Sequence, residues 1–146
     1  MAAIGADDSP SAEEVFNQAD AARKSAAAAL KKAGKSSLAQ RAKVGATALA
    51  LYEESCRLGH VAACLELGFV YSGAAAASED MGAGADPKRS LAYYTEACGL
   101  GHGRACFFVG SSHHQAGDME QAVDYYRVSY AIVGRLEWLA SMSAEC

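Results

Sequence analysis

The stretch YEESCRLGHVAACLELG, residues 52–68, returns as YYTEACGLGHGRACFFVG at residues 93–110. Tyr52, Cys56, Leu58, Gly59, His60, Ala63, Cys64 and Gly68 recur 42 residues later as Tyr94, Cys98, Leu100, Gly101, His102, Ala105, Cys106 and Gly110. A fixed period of this size, in an alanine-rich chain with two prolines and few β-branched residues, points to stacked two-helix units. In each copy a Leu-Gly-His turn separates two helical runs. Glycine can take the left-handed conformation that closes a helix C-terminus, and so short a connection makes the two helices antiparallel neighbours. The expected fold class is therefore all-α, a short α-solenoid of antiparallel helix pairs with an extra N-terminal helix.

Upstream of this repeat, residues 1–10 read as a flexible start. Ser11 followed by Glu14 fits a capping box, and the absence of Gly and Pro up to Gly34 predicts a helix over about residues 12–32. Its apolar face carries Phe16, Ala19, Ala22 or Ala26, and Leu30, which is little hydrophobic area. This helix is expected to be the least firmly held element unless a partner covers it. A turn at residues 34–37 leads into a helix over about 38–58, with Val44, Ala48, Leu51 or Tyr52, and Ser55 along one face; the next helix runs from about 61 to 72.

Downstream, residues 73–87 form a Gly/Ala/Asp-rich stretch without periodicity, expected as a surface loop. Asp86 as N-cap and Pro87 at the first turn open a helix to about residue 100, and its partner spans about 104–115. Ala122, Tyr125 and Tyr126 then match Ser90, Tyr93 and Tyr94 at a spacing of 32, which marks a degenerate third unit that has lost both cysteines. After Gly134 the tail RLEWLASMSAEC, with Leu136, Leu139 and Met142 on one face, reads as a helical cap on the stack. The domain division is 1–37 for the flexible start and Ala-rich helix and 38–146 for the repeat domain, in units of about 38–73, 87–116 and 118–146.

Charge and motifs narrow the function classes. The chain of 146 residues carries a formal net charge of −4, and residues 44–146 alone hold six Lys/Arg against twelve Asp/Glu. Such a balance argues against nucleic acid as the main partner. The N-terminal 43 residues are mildly basic, with seven Lys/Arg against five Asp/Glu. No uncharged apolar run approaches the roughly 18 residues of a membrane-spanning helix. The opening MAAIGADDSP has the layout of neither a secretory signal nor a mitochondrial presequence. There is no Gly-rich phosphate loop, G-x-S-x-G elbow or H-E-x-x-H, so a non-catalytic protein with no cofactor is expected.

The Cys-x7-Cys pairs, Cys56 with Cys64 and Cys98 with Cys106, admit three readings: structural disulfides, reduced small core residues, or a metal site. The last fits worst, since zinc sites favour C-x2–4-C spacing. Cys146 is left as a free terminal thiol. His60 and His102 repeat with the turn and are expected as capping or turn residues. A metal or haem role for the adjacent His113 and His114, or a thiol-dependent activity, is the reading from another class. Tyr93-Tyr94 and Tyr125-Tyr126 predict one packed and one half-exposed ring per helix, and Tyr52, Tyr93 and Tyr125 are the candidate partner contacts.

The tyrosine-bearing helix ending in C-x-L-G-H, followed by x-x-A-C-x-x-x-G, resembles the Sel1-like repeat, a relative of the tetratricopeptide repeat. Ala48, Tyr52, Ser55, Gly59, Ala63, Leu67, Gly68 and Tyr71 follow its pattern in the first unit, and Ser90, Tyr94, Ala97, Gly101, Ala105, Val109 and Gly110 in the second. The paired cysteines resemble the cysteine-rich Sel1-like subfamily, which includes Helicobacter cysteine-rich proteins and a mitochondrial intermembrane-space assembly factor for cytochrome c oxidase. The resemblance implies an internal disulfide in each unit, Cys56–Cys64 and Cys98–Cys106. Beside it, antiparallel helices joined by so short a turn bring the paired Cα atoms to roughly 5–6 Å, within bridging range. It further implies a protein–protein interaction scaffold, an assembly factor or accessory subunit of a multisubunit respiratory complex imported into the intermembrane space by oxidative trapping. The alternative is a cytosolic or secreted adaptor.

Overall fold

The computed structural model describes residues 9–33, 38–73 and 81–144. All regular secondary structure among them is helical: α1 Ala12–Ala33, α2 Leu38–Arg57, α3 Val61–Tyr71, α4 Pro87–Gly99, α5 Gly103–Gln115 and α6 Met119–Ala144. The expected turn at 34–37 and the expected inward side chains Val44, Leu139 and Met142 lie outside what is described.

The helix ends follow from local chemistry. Ser11 and Glu14 form a reciprocal capping box, with Glu14 N donating to Ser11 Oγ at 3.2 Å and Ser11 N donating to Glu14 Oε2 at 2.7 Å. Asp86 caps α4 by accepting from Arg89 N at 3.1 Å, with Pro87 in the first turn, where its missing N–H costs nothing. Gly59 and Gly101 both adopt φ +90°. His60 N then reaches Ser55 O at 3.0 Å and Gly59 N reaches Cys56 O at 2.9 Å, and the same bonds recur from His102 to Ala97 and Gly101 to Cys98. This pair of bonds satisfies the last carbonyls of a helix and requires a residue free to enter the left-handed region.

The packing runs in chain order: α1 on α2, α2 on α3, α3 on α4, α4 on α5 and α5 on α6. Two kinds of joint alternate. The Leu-Gly-His turns join α2 to α3 and α4 to α5, whereas α1·α2, α3·α4 and α5·α6 meet across faces lined with small residues, the last pair being joined by an equally tight turn at Gly117, φ +82°. At these three faces the register is common. Ala19, Gly68 and Gly110 stand opposite Tyr52, Tyr94 and Tyr126 in that register; a Cβ on Gly68 or Gly110 would come within 2.9 Å of the Tyr94 or Tyr126 ring. Ala48, Ser90 and Ala122 are buried at one matching level of the three faces. Ser55 Oγ donates to Ala12 O at 2.6 Å, and at the equivalent position Ser129 Oγ donates to Gly103 O at 2.8 Å. Each acceptor is the first residue of the facing helix, so these bonds fix the sliding register of the pair.

Four findings differ from the expectation. First, α1 is bonded to two neighbouring helices, which its small apolar face does not foretell: besides the Ser55 bond, Tyr52 OH donates to Asp20 Oδ1 at 3.0 Å, and Arg23 bridges to Glu66 of α3 at 3.1 Å. Second, α1 buries Val15 beside the expected Ala19 and Ala26, while Phe16 is only partly covered. Third, the 73–87 connection is not wholly superficial. Met81 is fully buried, and its backbone lies so near Gly45 that a Cβ there would sit 2.6 Å from Met81 Cα. Glycine in α2 is what lets the loop in. Fourth, α6 continues through Gly134 without a break. The position 32 residues beyond Gly101 is Val133, so the glycine falls one residue late for the turn. A lone glycine inside a helix weakens it by about 1 kcal/mol without ending it.

Candidate functional site

The two Leu-Gly-His turns and the seams between units carry the chemistry of this molecule. Disulfides join Cys56 to Cys64 and Cys98 to Cys106, with Cα separations of 4.8 and 4.7 Å. Each cystine sits over its glycine turn and is almost wholly buried, among Ala63, Leu67, Ala97 and Ala105. Small residues at the crossing leave room for sulfur where larger side chains would hold the helices apart.

The histidines of the two turns divide their work. His102 Nδ1 accepts from Ala105 N at 3.2 Å and so caps α5. His60 occupies the same place before α3 but makes no side-chain cap. Its ring stacks on Phe16 with centroids 4.4 Å apart, and its Nδ1 has no hydrogen-bond partner among the described residues. The packing of α1 has taken the imidazole away from its capping position. His113 stacks on Tyr125 at 5.5 Å and lies 3.6 Å from Asp118 Oδ2, and His114 is exposed. Among the described residues no group of three or more His, Cys, Asp or Glu side chains is placed to hold a metal ion.

The candidate contact tyrosines separate into two classes. Tyr52 is fully buried, which removes it as a partner contact. It stands in register with Tyr94 and Tyr126, which lie on Gly68 and Gly110 but are half-buried like their neighbours Tyr93 and Tyr125, not packed as expected; burial raises the Tyr52 phenol, opposed by Arg23. Asp20, which accepts from it, is held below the usual carboxylate range, first by the Lys24 bond at 2.8 Å. Tyr93 and Tyr125 are half-buried. Tyr93 stacks on Tyr71 at 5.8 Å and donates to Glu53 Oε1 at 3.2 Å. Burial, then the Glu53 charge, pushes its phenol up to about 12. Tyr71 in turn carries Arg89, whose guanidinium lies 5.3 Å from the ring centroid and donates to the Tyr71 hydroxyl at 3.1 Å. Tyr93 on Tyr71 and Tyr125 on His113 are thus one device used at successive seams.

Two grooves open beside these seams. One, of about 270 Å³, lies between α2 and α4 and is lined by Glu53, Cys56, Arg57, Ala92, Tyr93 and Glu96. Its rim is acidic, and the Tyr93 ring forms a wall that stays neutral well into the alkaline range. The other, of about 400 Å³, lies among α3, α4 and α5 and has Phe69, Leu91, Tyr94 and Phe108 as its apolar lining. Phe69 and Phe108 are exposed along this side, and Phe108 stacks on Tyr94 at 5.2 Å.

Sequence reasoning missed that α1 keeps the register of the second helix of a unit. Ser11, Ala12, Phe16 and Ala19 stand 49 residues before His60, Val61, Leu65 and Gly68, and Phe16 meets Tyr52 as Phe107 meets Tyr126, at 5.7 and 5.4 Å. The signal was faint because Val15 replaces the cysteine and alanine replaces the glycine. No family model matches the chain, and no curated protein matches it in sequence. No helix among the described residues is long and apolar enough to cross a membrane.

Proposed function

We propose that the chain is a short α-solenoid of Sel1-like helix pairs that serves as a non-catalytic scaffold for protein–protein interaction in an oxidising compartment. The observation that carries this reading is the pair of buried cystines at equivalent turns of two units. Bridges of this kind persist where thiols are not kept reduced. The mitochondrial intermembrane space is the compartment proposed, with a role as assembly factor or accessory subunit of a respiratory-chain complex. The contact face is the acidic groove between α2 and α4, where Tyr93 offers an aromatic wall and Glu53 and Glu96 offer charge to a basic partner segment.

The test is mass mapping of the protein isolated under thiol-blocking conditions, together with protease protection of mitochondria whose outer membrane has been ruptured. The expected result is two linked peptide pairs, digestion after rupture, and co-migration with a respiratory complex on native gels. Four blocked thiols at Cys56, Cys64, Cys98 and Cys106 would overturn the compartment and turn attention to a cytosolic adaptor.

A further inference from the structure

The first helix of each unit has two neighbours when the unit is complete. α4 receives α3 on one face and α5 on the other, and the second contact is made from Tyr94, which stacks on Phe108, and Cys98, which is bonded to Cys106; Leu91 borders the adjoining groove. In α6 the register is the same at a spacing of 32, so Val123, Tyr126 and Tyr130 stand where Leu91, Tyr94 and Cys98 stand, and Met119 follows Pro87. On its first face α6 is complete: Ala122 and Ser129 are buried against α5, and Tyr126 covers Gly110. On the second face it has no helix among the described residues. Met119 is 55 % exposed, Val123 45 % and Tyr130 78 %, whereas Cys98, the counterpart of Tyr130, is 8 % exposed. Met119, Val123, Tyr126 and Tyr130 follow one another at helical spacings of four and three, which makes a continuous stripe.

We propose that this stripe of α6 docks an amphipathic helix of a protein partner, received as α4 receives α5. The proposal rests on the scaffold reading above and adds the surface and the chemistry of its occupant. Continuity with the α4·α5 interface supplies the geometry, and the substitution at Tyr130 supplies the selectivity. No cysteine remains to clasp the incoming helix, so the contact is non-covalent. A tyrosine ring in place of sulfur needs a small residue opposite it. The chain already solves that problem twice by seating Tyr94 over Gly68 and Tyr126 over Gly110. The partner helix therefore carries glycine or alanine at the contact, with apolar residues three or four positions away. A large side chain there would hold the helix off the stripe.

The test uses the full chain with its disulfides intact and a labelled synthetic peptide of residues 103–118 carrying C106A, which puts alanine at the place where Cys106 meets Cys98 in the α4·α5 contact. The chain's own α5 is retained covalently by the Cys98–Cys106 bond, so the peptide does not exchange with it. Fluorescence anisotropy is expected to show saturable binding, with amide shift changes mapping to α6. Y130E is expected to weaken it roughly tenfold or more, and a peptide carrying Cys106→Leu to lose it, while Leu100→Glu at the exposed turn leaves it unchanged. Tyr130 is surface-exposed, so the variant is expected to retain the wild-type melting temperature, which checks its fold. Absence of saturable binding, or binding insensitive to Y130E, would overturn the proposal. A wild-type dimer that Y130E converts to monomer would also overturn it, by making the occupant a second copy. A native partner captured equally by wild type and Y130E would remove this docking face and leave the scaffold reading standing.

Discussion

The joints at the Leu-Gly-His turns and the joints between units hold the same kind of helix together in opposite ways. At a turn, a short connection leaves little chain entropy to remove, yet the protein closes it covalently over alanines and a cystine. Between units there is no covalent link, even at α5·α6, where Gly117 at φ +82° and the bonds from Gly117 N to His114 O at 3.0 Å and Asp118 N to His113 O at 2.9 Å repeat the same glycine turn. The seam instead relies on an aromatic ring set on a small residue, reinforced by a serine hydroxyl at α1·α2 and α5·α6 and by Ser90, bonded to Gly68 O at 2.7 Å, at α3·α4. The lesson is one of geometry. Turn length does not decide which joint carries sulfur, since equally short glycine turns join α2 to α3, α4 to α5 and α5 to α6; the bridge stands where alanines meet, and the ring where it faces a small residue. The seams have room for rings and so have no need of sulfur.

If that division is right, reduction should produce the largest effect. Each cystine closes a loop with a sequence separation of 8, which the chain-entropy relation values at about 2.5 kcal/mol. Losing both would remove about 5 kcal/mol, a fall in melting temperature of roughly 10–20 °C for a chain of this length. Calorimetry of the oxidised protein against the Cys56→Ser, Cys64→Ser, Cys98→Ser, Cys106→Ser variant measures it directly, and the two single-bridge variants should divide the loss about equally. An unchanged melting temperature would mean that packing, not sulfur, holds the turns.

The seams should fail by overpacking. A side chain at Gly110 would meet the Tyr126 ring at 2.9 Å and Ala122 O at 3.2 Å, and the backbone oxygen cannot move aside cheaply. Gly110→Val is expected to cost about 2–3 kcal/mol, and Gly68→Val a similar amount through Tyr94. Gly134→Ala is the control: a Cβ there would meet no atom within 4 Å among the described residues, so the change should stabilise α6 by up to about 1 kcal/mol. Urea titrations of the three variants decide the point. Equal effects at Gly110 and Gly134 would mean that the ring-on-glycine contact carries no weight.

How much of this was legible in the sequence depends on which joint is considered. The turns were readable in outline, because left-handed glycine and Cys-x7-Cys are local signals that repeat at a fixed spacing, though the cysteines admitted three readings and, of the two histidines, His102 caps its helix and His60 does not. The seams were readable only where the same residue types recurred: Tyr94 and Tyr126 could be matched, while Tyr52 was mistaken for a surface contact although its register is theirs. The membership of α1 was hidden, since Val15 and Ala19 keep the volumes of the pattern and not its letters. Met81 was hidden for a different reason. A single apolar residue in an aperiodic loop says nothing of its burial, which is decided by the gap that Gly45 leaves in a distant helix. The continuity of α6 turned on one residue of register at Gly134, finer than a glycine alone can indicate.

The smallest effect concerns the Tyr71–Tyr93 stack, the seam contact that faces the groove. Burial, with the Glu53 charge beside it, pushes the Tyr93 phenol up to about 12, against 10.0 for a free tyrosine. In the window between those values the folded chain keeps a proton that the unfolded chain releases, so stability falls as pH rises. The contribution is fully present below pH 10 and is lost on passing through pH 12. Tyr93→Phe has no proton to lose there. Its stability, measured by urea unfolding on freshly adjusted samples, should fall less steeply than that of the wild type between pH 10 and 12. Absorbance at 295 nm should show the matching loss of one late-ionising phenol. Parallel slopes for the two proteins would place the Tyr93 hydroxyl in water, and with it the aromatic wall of the groove between α2 and α4.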